Sequence, residues 1–146
     1  MEAVGVPERR VVAFGRSVGS IYAIQLVSRF PNIAGLVIES GIADPLERVL
    51  MRASAAELGV TLEELEEARD AHLNHKDKLA SYPGPVFVLH TRFDGLVDLD
   101  NAERLRDWAD GDAELVVFEE GNHNSIMAVN WSAYWKKIGA FVESLG

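Results

Sequence analysis

The segment Gly15-Arg16-Ser17-Val18-Gly19 carries the residues best suited to chemistry. An apolar run precedes it and an amphipathic run follows it. A serine on a strand-to-helix turn has its hydroxyl projected above the sheet at a helix N-terminus. Flanking glycines let strand and helix approach closely. The helix dipole and free N–H groups there favour a developing anion, and the Val18 N–H is the natural oxyanion donor. A serine hydroxyl is a weak nucleophile without a base. The sequence offers His72, His75, His90 and His123. His72 and His75, three apart in an acidic helical stretch, read as a solvated face. His90 ends a predicted strand and either borders the site or fills the core. His123, in Gly121-Asn122-His123-Asn124, directly follows the last predicted strand, and strand C-terminal loops are where α/β sheets place their sites. It is the expected base. The base needs an orienting acid. Asp94 lies in the loop after the third strand, at the same edge. Asp98 and Asp100 compete, but both fit helix caps. Glu39, ending the second strand, is a further rival. In these roles Ser17, His123 and Asp94 would carry nucleophilic catalysis.

These residues need elements to hold them. Residues 10–14, 35–40, 86–90 and 114–119 are short apolar runs, read as buried strands. Residues 17–30 form an apolar-striped helix stopped by Pro31. Asp44-Pro45-Leu46-Glu47 is a helix start, and Thr61 with Glu64 has capping-box spacing for a helix running to about His75. Asp100 and Glu103 bracket another such start. The last helix puts Trp131, Tyr134, Trp135, Ile138, Phe141, Val142 and Leu145 on one face, read as core. Strands alternating with helices, and apolar throughout, predict an α/β fold: a parallel sheet covered on both faces. Residues 42–82 exceed one crossover and hold two predicted helices, a small cap within a single domain spanning 1–146.

Composition narrows the classes. The chain has 146 residues, about one domain. Its 48% hydrophobic and 25% charged residues are ordinary for a globular protein. A net charge of −9 argues against nucleic acid and anionic membrane surfaces as partners. No apolar run is long enough to span a bilayer. The opening stretch lacks a signal peptide's order of regions, and the chain has no Cys, so a cytoplasmic location is expected. No cofactor and no metal are expected. There is no G-x-G-x-x-G after a strand and no Walker lysine, and His72 and His75 lack His-Glu-x-x-His spacing.

GRSVGS, LHTRFDGLVD and GNHN together resemble the α/β-hydrolase family, whose Ser…Asp/Glu…His order the sequence shares. The stretch GRSVGSIYAIQLVSRFPNIAGLVIESGIAD is similar to a bacterial serine-hydrolase and serine-esterase branch that also takes in the eukaryotic Bem46-like proteins, some of them protein depalmitoylases. The resemblance implies a serine hydrolase acting on an ester or thioester through an acyl-enzyme. It also implies a sheet of about eight strands with the nucleophile turn after the fifth. Here that turn follows the first predicted strand. The expectation is therefore a C-terminal portion of the fold, without the loop that carries a second oxyanion donor. Losing one such donor costs about 3 kcal/mol of transition-state stabilisation.

Two outcomes follow. The first is an acyl hydrolase whose 42–82 segment roofs the pocket, with Leu46, Leu50 and Asn124 as candidate substrate contacts. The second is a truncated, non-catalytic or partner-dependent remnant that serves as an interaction module. The first strand is an exposed apolar edge in either case, suited to pairing with a second copy in a homodimer.

Overall fold

The computed structural model describes residues 5–146; the first four residues of the opening stretch lie outside them. Four strands form one parallel sheet in sequential order. They are β1 (Val12–Arg16), β2 (Gly35–Glu39), β3 (Val86–Thr91) and β4 (Ala113–Phe118). The central strands β2 and β3 are buried at every position, as strands covered on both faces must be. β1 is an edge strand and half open, with Phe14 50% exposed. It begins at Val12 rather than Arg10, because Glu8–Arg10 form a single 3₁₀ turn.

Alternate side chains feed two cores. On one face Leu36, Ile38, Val86 and Val88 pack against α1 (Gly19–Arg29) through Ala23, Ile24 and Val27. Ala102 and Leu105 of α5 (Leu99–Asp107) complete that layer. On the other face Val37, Phe87, Leu89 and Phe118 meet Ile126 and Tyr134. These come from α6 (Ile126–Val129) and α7 (Trp131–Ser144), and Phe87 stacks on Phe141 at 5.0 Å.

Between β2 and β3 the chain forms three helices, not two. In α2 (Pro45–Leu50), the Asp44 side chain caps the N–H groups of Leu46 and Glu47. The Thr61–Glu64 capping box opens α3 (Leu62–His72), which buries no residue. It stops at His72, and a separate α4 (His75–Ala80) follows, capped by Asn74. The reading of His75 as solvated is therefore corrected. His72 is exposed, but His75 is 2% exposed and donates Nδ1–H to the Ile42 carbonyl at 3.1 Å. Burial holds its pKa below the ordinary value.

Two further expectations change. Asp98, not Asp100, stands at the start of α5, and its side chain makes no capping bond. The aromatic stripe of α7 meets the core at Tyr134, which is buried, and at the half-buried Phe141, while Trp131 is 59% and Trp135 45% exposed. No helix among the described residues is long and apolar enough to cross a membrane.

Candidate active site

The C-terminal ends of β1, β3 and β4 bring three side chains together. Ser17 follows β1 directly and holds φ at 50°, in the left-handed region that side chains tolerate poorly. Its N–H donates to the Glu39 carbonyl at 2.9 Å, and its own carbonyl accepts from Ser20 N at 3.0 Å, closing the first turn of α1. Gly15 is required by space. A Cβ there would lie 2.6 Å from Ala23 Cβ and 2.7 Å from the Gly19 carbonyl oxygen. Gly19 is not, since a Cβ on it meets nothing within 4 Å. The close approach expected at both glycines is thus confined to Gly15. Val18 stands at the N-cap, where helix geometry leaves the first N–H groups without intrahelical partners.

His123 lies in the loop after β4, 6% exposed. Its Nε2 is 3.0 Å from Ser17 Oγ and its Nδ1 is 2.8 Å from Asp94 Oδ2. A carboxylate only accepts, so Nδ1 carries the proton and Nε2 faces the hydroxyl as acceptor. Asp94 Oδ1 accepts the N–H groups of Leu96 and Val97, both at 2.9 Å. Burial is the largest influence on Asp94 and raises its pKa. The Val97 and Leu96 amides and the His123 ring together outweigh it and hold the pKa below the ordinary value. The arrangement can take a proton from Ser17 Oγ and hold the resulting imidazolium against a carboxylate.

The rival groups have other partners. His90 is fully buried, donates Nε2–H to the Val97 carbonyl at 2.9 Å and lies 3.6 Å from Asp94 Oδ2. Burial lowers its pKa. It braces the loop that carries Asp94. Glu39 does not touch His123. Its Oε1 accepts from Arg16 Nε at 2.6 Å, and its Oε2 accepts from the Tyr134 hydroxyl. Arg16 also donates to the His123 carbonyl. Burial, then the Glu39 contact, raises the Tyr134 pKa, so its hydroxyl stays protonated. This network escaped sequence reasoning, which read Tyr134 as core and Arg16 only as part of the turn. A Glu ending an otherwise apolar buried strand was the available signal, because a buried carboxylate needs partners.

An open cavity of about 490 Å³ adjoins the site through Arg16 and Asn124, with Phe14, Met127, Trp135 and Ile138 among its walls. Ser17 does not line it, and neither do the candidate substrate contacts Leu46 and Leu50. Leu46 is buried and Leu50 is 37% exposed.

Protein-family models give no match to the chain. Solved structures do. An esterase domain from a Rhodothermus marinus protein superposes with a TM-score of 0.73 at 19% identity, over 93% of this chain and 61% of that one. An esterase from a Rhodococcus species gives 0.68 at 19% identity, over 99% and 69%. A puromycin-hydrolyzing peptidase from Mycobacterium tuberculosis gives 0.64 at 20% identity, over 84% of this chain and 20% of that one. The chain thus spans about three-fifths of the Rhodothermus domain's length. With four parallel strands flanked by helices and these likenesses, the chain carries the α/β-hydrolase fold.

Proposed function

We propose that the chain is a serine hydrolase of ester or thioester substrates. The observation that carries this reading is the continuous hydrogen-bonded path from Ser17 Oγ through His123 to Asp94, at 3.0 and 2.8 Å. In the proposed cycle Ser17 Oγ attacks the substrate carbonyl while His123 Nε2 takes its proton. Asp94 holds the ring and balances the imidazolium, and the Val18 N–H faces the oxyanion. His123 returns the proton to the leaving group. Water, activated by His123, then hydrolyses the acyl-enzyme. Asn124 stands beside the base on the wall of the open cavity, and the 42–82 segment with Leu46 and Leu50 contributes no side chain to that cavity. The reaction is assigned to the cytoplasm, in keeping with a Cys-free chain.

A short-chain p-nitrophenyl ester tests the proposal. The wild-type chain is expected to release a burst of p-nitrophenol and Ser17→Ala none. Equal release by both proteins would move the chemistry away from Ser17. Aminoacyl anilides run beside the esters separate esterase from peptidase activity.

A second reading rests on the sheet edge. Phe14 is half exposed on an edge strand and Met127 and Trp135 stand open nearby. Such an edge suits pairing of β1 with β1 of a second copy, or activity that depends on a partner.

A further inference from the structure

The buried carboxylate of Glu39 has no place in the proton path from Ser17 to Asp94, yet it is 2% exposed and both oxygens are engaged. Its partners lead to the base. Arg16 Nε holds Oε1 at 2.6 Å, and the same guanidinium donates through Nη2 to the His123 backbone carbonyl. The Tyr134 hydroxyl, 1% exposed on α7, holds Oε2. The Glu39 carbonyl meanwhile accepts the Ser17 N–H at 2.9 Å. One residue therefore bears on the nucleophile's backbone directly and on the base's backbone through Arg16.

We propose that Arg16, aimed by Glu39 and Tyr134, is a positioning residue that fixes the His123 loop in register with the Ser17 turn. The proposal rests on the reading of Ser17 and His123 as nucleophile and base. The loop's other backbone ties stay on the β4 side: the Asn122 side chain accepts from Asn124 N and Ser125 N, and Asn130 Nδ2, ahead of α7, donates to the Glu120 carbonyl at 2.9 Å. Arg16 is the tie that crosses from the β4 loop to β1. A guanidinium suits the task because its planar fork presents Nε and Nη2 to two acceptors at fixed separation. An ammonium is a point charge on a flexible stem and cannot hold both in that geometry. Arg16 is also 40% exposed on its side chain, so its loss removes little buried surface. The network's effect is expected on geometry, and a small misplacement of a base is costly to rate.

Arg16→Met keeps the aliphatic stem and removes every donor. In the full chain it is expected to lower kcat for a p-nitrophenyl ester about 10- to 100-fold. KM should stay within about twofold, as for an interaction realised in the transition state. Added guanidinium should restore part of the rate, and sodium chloride at equal ionic strength should not. Tyr134→Phe, which frees one Glu39 oxygen but keeps Arg16, should give a smaller loss in the same direction. It also serves where Arg16→Met fails to fold. An independent readout is the His123 Nδ1 proton by NMR. It is expected at low field in the wild type and shifted or broadened in Arg16→Met. An unchanged kcat with an unchanged ring signal overturns the proposal, as does a loss that guanidinium leaves untouched. A wild type no more active than Ser17→Ala overturns the hydrolase reading instead. The ring signal then decides the positioning claim alone: shifted in the variant, it stands; unchanged, it falls.

Discussion

Ser17 keeps a positive φ of 50° because its neighbours determine it from several sides: β1 before it, the Glu39 carbonyl on its N–H, and the first turn of α1 on its carbonyl. Strain of this kind costs about 1–3 kcal/mol and persists only where the surroundings impose it. Asp94 is the second residue whose environment matters. With its pKa depressed in the fold, the ionised form is stabilised relative to the unfolded chain. That contribution is fully present above the ordinary carboxylate pKa of about 3.9 and is lost as pH falls through the lower folded value. Asp94→Asn should therefore flatten the fall in stability below about pH 4, read from urea midpoints across acid pH. A slope unchanged by the substitution would place the acid sensitivity in other carboxylates. The same variant disturbs the His123 tautomer and should lower esterase kcat about ten-thousandfold, by analogy with the corresponding change in a serine protease triad.

Among the elements, the strands were legible because β2 and β3 are continuous apolar runs with clear bounds. Their neighbours were less so. α4 has six residues and α6 four, too short for a 3.6-residue period to show. The fate of His75 depended on that boundary, since it turns inward only because a new helix starts beside it. That Asp94 lies beside His123 was readable from its place after β3, but the Arg16–Glu39–Tyr134 network joins residues from three separate elements, and no local spacing encodes it. α3 is tied down least. It buries no residue and leans on its capping box and on Arg69, which pairs with Asp44 at 2.9 Å. Its amide hydrogens should exchange fastest among the longer helices, well ahead of β2 and β3 in hydrogen-exchange mass spectrometry. Thr61→Ala should cost about 1 kcal/mol at most in overall stability, while speeding that local exchange further. Protection of α3 equal to that of β3 would mean the segment is packed more firmly than its exposure indicates.

At the scale of the molecule, the sheet is closed at neither edge, and β1 is the edge that exposes a large apolar side chain, Phe14. Phe14 on β1, Met127 on α6 and Trp131 and Trp135 on α7 together leave an open apolar surface beside the site. Edge-to-edge pairing would give β1 a hydrogen-bonded neighbour and cover Phe14. Sedimentation equilibrium should then report about twice the chain mass of 16.1 kDa, reverting toward one chain in Phe14→Lys. A well-behaved monomer at high concentration contradicts the paired form. The chain spans 61% of the Rhodothermus esterase domain and carries Ser17, Asp94 and His123 within that span. The central claim is that these three residues, so placed, make Ser17 a working nucleophile. Its most direct measurement is the intact mass of the chain after exposure to a fluorophosphonate, with the adduct mapped by peptide sequencing. The account predicts one adduct, on Ser17, absent in Ser17→Ala and strongly slowed in His123→Ala. A folded wild-type chain that takes up no label, or takes it up on another residue, would contradict it.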